Sequence, residues 1–280
     1  MAAAQRRFQR IPDLAWPEGA RCAVNVTLDY DAQLARRANN EPRMELTEGE
    51  FGGRTGIWRL MDLCSAQDIG LTLFVPGRIC ELYPASLREA ARRGFEIASH
   101  MWDHRVPAEP ELQRDHLRRT TAALEAITGQ RPAGQRARGW KFDSLAAEGY
   151  RYISSFTADD KPYYMHEGGH TMLNLPFQWA LDDAAYFKFA WLRGVPAAQR
   201  ISDPDSVYEN WIAAFRRIHA MGGYMNITLH DLQSGRAARV AMLERLFAEM
   251  KRHQGVWFPT CERVVRHCLA HYPVHRTEEA

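Results

Sequence analysis

The sequence predicts an α/β fold, a distorted barrel of alternating strands and helices, on two observations. Short β-rich runs alternate with one-faced helical stretches along almost the whole chain. About seven or eight such units follow one another with no internal repeat, linker or low-complexity tract between them. Strand, helix, strand in that order implies parallel pairing through right-handed crossovers. The 280 residues, 46% of them hydrophobic, suffice for one core, so residues 1–280 read as a single domain.

Taken in order, strands are predicted over Cys22–Asp29, Leu71–Val75, 95–99, 152–155, 173–177, Tyr224–His230 and 256–258. The intervening helices have readable ends. One over 56–67 stops at the turn around Asp68 and Gly70, one over 84–93 stops at Gly94, and one over 109–127 stops at Gly129. A helix over 206–220 follows an Asp-Pro-Asp cap and ends at Gly222 and Gly223. The last, over 236–253, carries Val240, Leu243, Leu246, Phe247 and Met250 as one apolar stripe. In such a barrel the active site lies at the C-terminal ends of the strands.

Composition excludes several function classes. The formal net charge is +2, which gives no electrostatic case for nucleic acid or an acidic membrane surface. Only four of the basic residues are lysine (Lys141, Lys161, Lys188 and Lys251). Arg6, Arg7 and Arg10 are not followed by the apolar stretch of a secretory signal, and no apolar run approaches the roughly 18 residues of a membrane span. The five cysteines are widely spaced, without a Cys-x-x-Cys pair, and read as reduced thiols. A cytoplasmic enzyme acting on a small molecule is the expectation.

Five polar clusters sit at or near predicted strand ends. Asp29 and Asp31 are two apart, so an extended backbone turns both to one face, where two carboxylates need a cation or a shared proton between them. His100 and His104 are four apart after a good strand, a spacing that serves a single metal if a helical turn begins there. His230 ends the run Tyr224–His230. Asp159 and Asp160 open a turn before Lys161 and Pro162, and Arg136 and Arg138 lie in a glycine-flanked loop. Taken singly, each has an ordinary structural reading: an acidic turn, unrelated surface histidines, a basic loop.

Their order is more specific. Carboxylate pair, histidine pair, arginine loop, aspartate turn and strand-end histidine together resemble the motif series of the NodB-homology polysaccharide deacetylases, over about residues 29–257. The resemblance is closest to the branch with peptidoglycan deacetylase-like, allantoinase-like and cyclic imide hydrolase-like members. Its carriers are Phe74 to Gly77, Ser99 to His104, Asp159 to Tyr163, Pro176 to Asp183, and His230 with Ser234, Gly235 and Arg236.

The resemblance implies a NodB-type (β/α) barrel and a divalent metal, zinc, on Asp31, His100 and His104. It implies Asp29 as general base, His230 as general acid, Arg136 as the charge partner of the base, and Asp160 or its neighbour Asp159 as the acid that orients His230. Trp102, Trp140, Tyr163, Trp179 and Arg138 are candidate substrate-binding residues. The family usually has adjacent aspartates in its first motif, whereas Tyr30 separates them here, which leaves the roles of Asp29 and Asp31 exchangeable. The expected reaction is hydrolysis of a small amide, cyclic amide or imide. The alternative is N-deacetylation of an amino-sugar polymer or lipid-linked sugar; a non-catalytic carbohydrate-binding module ranks third, since it has no need of His230. The branch also implies a homo-oligomer, a tetramer.

Overall fold

A computed structural model of the chain describes residues 7–137, 141–188 and 201–274. Among the described residues there are ten strands: β1 (Arg7–Arg10), β2 (Cys22–Asp29), β3 (Leu71–Val75), β4 (Glu96–Ser99), β5 (Gly134–Gln135), β6 (Tyr152–Ile153), β7 (Tyr163–Glu167), β8 (His170–Asn174), β9 (Tyr224–His230) and β10 (Val256–Trp257). They form one sheet in the order β1-β7-β8-β6-β5-β4-β3-β2-β10, and β9 pairs with β2 beside that path. Pairing is parallel except between β1, β7 and β8. A single parallel bridge, Asp182 to Thr228, brings the chain beyond β8 against β9 and closes the ring. The predicted distorted barrel is the observed architecture.

Strand β2 shows why the barrel has two kinds of interior. Val24, Val26, Leu28 and Tyr30 point outward into the helix layer, where they pack with Leu60, Met61, Leu246 and Phe247. Fully burying each aliphatic side chain there contributes about 1.5–3 kcal/mol. The alternate residues Asn25, Thr27 and Asp29 point into the barrel and meet polar partners, since a buried polar group without one is costly.

Most predicted elements are present with small shifts: the helices run Ile57–Ala66, Pro84–Arg92, Pro110–Thr128, Pro204–Ala220 and Ala237–Lys251. Asp203 caps the fourth, accepting from the Ser206 N–H. Three differences are informative. The strand expected over 173–177 lies earlier, at His170–Asn174, because it pairs antiparallel with β7 in a hairpin turned by Gly168 and Gly169, both with positive φ. The helices Arg43–Phe51 and Cys261–His271 were not predicted. The turn after His100 is not helical: Met101 and His104 have φ of 68° and 66°. Among the described residues no helix is long and apolar enough to cross a membrane.

Candidate active site

Each member of the site hangs from a strand end. Asp29 closes β2, and the extended chain returns Asp31 to the same side while Tyr30 turns away to share a hydrogen bond with Ser86. The spacer is therefore a core residue of the helix layer, and the two aspartates remain neighbours despite it. The turn after Asp31 is fixed by Asp231, whose carboxylate accepts from the Ala32 N–H at 3.1 Å. Ala32 has a φ of 43° there.

His100 follows β4. Its loop is clamped from two sides: the Met101 carbonyl accepts from Gly77 N–H and Thr120 Oγ, and the Trp102 carbonyl accepts from Arg78 N–H. These bonds hold Met101 and His104 in the left-handed region, which costs of order 1–3 kcal/mol per non-glycine residue and concentrates at functional sites. The result sets His104 Nε2 3.2 Å from Asp31 Oδ2 and His100 Nε2 3.6 Å from Asp31 Oδ1.

The residues present fit a metal. The ligand atoms of Asp31, His100 and His104 lie within 4.8 Å of one another. Asp31 Oδ1 is buried with no hydrogen-bond partner, an open valence in a place where polar atoms are normally satisfied. His100 Nδ1 donates to the Arg136 carbonyl, which leaves the Nε2 lone pair facing Asp31. Burial favours neutral His100 and outweighs the pull of Asp29 and Asp31. Burial raises the Asp31 carboxyl, but His104, His100 and His230 together hold it well below the usual carboxylate range.

Arg136, 6% exposed, ties Asp29 into the barrel. Its guanidinium donates to Asp29 Oδ1 at 2.7 Å, to Thr27 Oγ and Ser154 Oγ at 3.0 Å, and to the Ser154 carbonyl at 3.1 Å. It also lies over the Phe74 ring at 4.2 Å. The other oxygen, Asp29 Oδ2, is 3.9 Å from His100 Nε2 and 3.9 Å from His230 Nε2. It thus stands between the candidate metal ligands and the candidate acid.

The partner of His230 is not Asp160. Asp160 is exposed and accepts from Gln178 Nε2, and Asp159 pairs with Arg10. The acid at His230 is the buried Asp183: His230 Nδ1 donates to Asp183 Oδ1 at 2.6 Å, and the His230 N–H donates to Oδ2 at 2.8 Å. Burial opposes charge on His230, but Asp183, its hydrogen bond, Asp182 and Asp29 outweigh it and raise the imidazole well above the usual histidine value. Burial pushes the Asp182 carboxyl up to about 6. Sequence reasoning placed the acid in the wrong aspartate pair because turn and strand-end pairs look alike. The discriminating signal was position: Asp182 and Asp183 close the barrel against β9, the strand that carries His230.

The candidate substrate residues fare less well. Tyr163 is buried in the core, where its hydroxyl accepts from the Ala158 N–H. Trp102 packs on Gly77 and beneath Arg119, 4.1 Å from its ring centre, so it buttresses the histidine loop. Trp179 is 56% exposed and edge-on to Phe177. Arg138 and Trp140 lie outside the described residues.

Residues 46–153 match the family model described as polysaccharide deacetylase. Over those residues the chain is similar to polysaccharide deacetylases. It is 23% identical to a peptidoglycan deacetylase of Helicobacter pylori, over 82% of this chain and 89% of that one. Among solved structures, a candidate polysaccharide deacetylase from Mycobacterium smegmatis superposes with a TM-score of 0.86 at 29% identity, covering 98% of this chain and 99% of the other. The allantoinase PuuE superposes at 0.79 with 25% identity, covering 93% and 94%. These likenesses place the chain among hydrolases of carbon–nitrogen bonds other than peptide bonds.

Proposed function

We propose that this chain removes the N-acetyl group from an acetylated amino sugar, with a cation, zinc, held by Asp31, His100 and His104. The observation that carries the reading is Asp29 Oδ2, equidistant at 3.9 Å from a ligand histidine and from the candidate acid His230. A bound divalent cation supplies Lewis acidity, which polarises a carbonyl and lowers the pKa of water toward about 7. Asp29, steadied by Arg136, accepts the proton of the attacking water. His230, kept protonated by Asp183, delivers a proton from Nε2 to the departing nitrogen, which is otherwise a very poor leaving group. The similarity to a peptidoglycan deacetylase favours an amino sugar over the small amide that the sequence alone ranked first.

A second reading, opening of a cyclic amide or ureide, is favoured by the likeness to an allantoinase. One screen separates the two. Purified protein with added zinc is offered acetylated glucosamine oligomers, hydantoin-type ureides and cyclic imides side by side. Acetate release from the oligomers supports the first reading; product from the ureides or imides alone replaces it with the second.

A further inference from the structure

Asp183 is the meeting point of more donors than His230 alone supplies. Ser234 Oγ donates to Asp183 Oδ2 at 2.5 Å, beside the His230 backbone N–H on the same oxygen. Both Ser234 and Asp183 are wholly buried. Ser234 ends the short helical turn Asp231–Ser234 that leaves β9 directly after His230. A serine in such a turn ordinarily returns its proton to a carbonyl one turn back. Here the proton goes to a carboxylate across the barrel's closing seam.

The surroundings give that bond a task. Asp182 Oδ1 lies 3.8 Å from the same His230 Nδ1 that Asp183 engages at 2.6 Å, so two carboxylates stand ready for one N–H. Asp182 Oδ1 is itself occupied by the Ala184 N–H. Asp183 holds the imidazole only while its Oδ1 stays in the ring plane, and that orientation is set by what grips Oδ2. With Ser234 removed, the His230 N–H alone grips Oδ2 among the bonds described, and the ring is free to turn toward Asp182.

We infer that Ser234 is a positioning residue for proton delivery, acting through Asp183 to hold His230 Nε2 toward the reacting nitrogen. The inference rests on the reading of His230 as general acid and extends it by one residue. Nothing in that reading requires a third member behind Asp183.

The test uses full-length protein with zinc, acetylated glucosamine oligomers as substrate and para-nitroacetanilide as a substrate with a better leaving group. Ser234→Ala is expected to lower kcat on the oligomers about 10-fold, a fraction of the roughly 100-fold or more that general acid catalysis contributes, with KM and metal content unchanged. The loss should be smaller on para-nitroacetanilide, and Ser234→Thr, which keeps the hydroxyl, should recover most of it. In an Asp183→Asn background the same serine change should add nothing, because the residue it acts through is already lost. Full activity of Ser234→Ala beside an inactive His230→Ala overturns the inference and leaves the acid reading standing. Independent, multiplying losses with Asp183→Asn also overturn it, as does an equal loss on both substrates. Normal turnover by His230→Ala removes the acid reading and this inference with it.

Discussion

At the residue scale, the site is a set of shared atoms, and substitutions should separate the shares. Asp31→Asn is expected to weaken metal binding strongly, because a neutral amide oxygen replaces the carboxylate beside two imidazoles. Asp29→Asn should keep the metal and lose turnover by about 100-fold or more, since an amide cannot accept a proton near neutral pH. Elemental analysis of the two variants checks this, and metal lost after Asp29→Asn but kept after Asp31→Asn would exchange the roles. The pH profile tests His230. Its raised pKa means the acid form is present at neutral pH and activity falls as pH rises through that pKa. Asp183→Asn removes the principal partner that raises it, so the basic limb of the kcat profile should move to lower pH; an unmoved limb would contradict the pairing. Asp29, Asp31, His100, His104, His230 and Arg136 were legible as candidates in sequence, and the structure gathers them at the strand ends. Asp183 and Ser234 were legible only as motif letters, since their roles arise across the bridge that closes the barrel.

At the element scale, the strands read well and their partners did not. β2, β3 and β9 match expectation residue for residue because each is a continuous buried run bounded by turns. The two-residue strand β5 was not predicted; it exists by virtue of its neighbours β4 and β6 and carries little periodicity of its own. The histidine loop was expected to be helical on spacing alone, yet tertiary hydrogen bonds from Gly77, Arg78 and Thr120 impose left-handed backbone instead. A close approach of backbones also escapes sequence reading. The π-helical turn Gly52–Gly56 lies directly on Asp231 and Gly235, and a methyl group on Gly56 would sit 2.0 Å from the Asp231 carbonyl oxygen. Gly56→Ala is therefore expected to destabilise by about 1–3 kcal/mol or more through overpacking, and to lower activity by displacing the turn after His230. Urea unfolding alongside kcat measures both, and a variant of unchanged stability would show that the turn yields freely.

At the scale of the whole molecule, the barrel has a functional end and a structural end. The C-terminal end gathers the aspartates and histidines. At the opposite end, buried Glu96 accepts from Tyr152 Oη at 2.6 Å and from Thr72 Oγ and the Glu262 N–H at 2.8 Å. Burial raises its carboxyl above the usual range. Glu96→Ala should leave these donors without their carboxylate partner, costing about 1–3 kcal/mol for each donor left unsatisfied, while kcat of the folded protein stays near normal; denaturant midpoints and turnover together check this. The barrel followed from alternation and length, whereas its closure by the Asp182–Thr228 bridge and the β7–β8 hairpin depended on contacts no local pattern carries. The most direct test of the whole account is turnover of acetylated glucosamine oligomers by protein stripped of metal by chelation, then titrated with zinc. No acetate release is expected from the stripped protein, and recovery should saturate near one equivalent of zinc in the native protein but not after Asp31→Asn. Full activity in the stripped protein would contradict it.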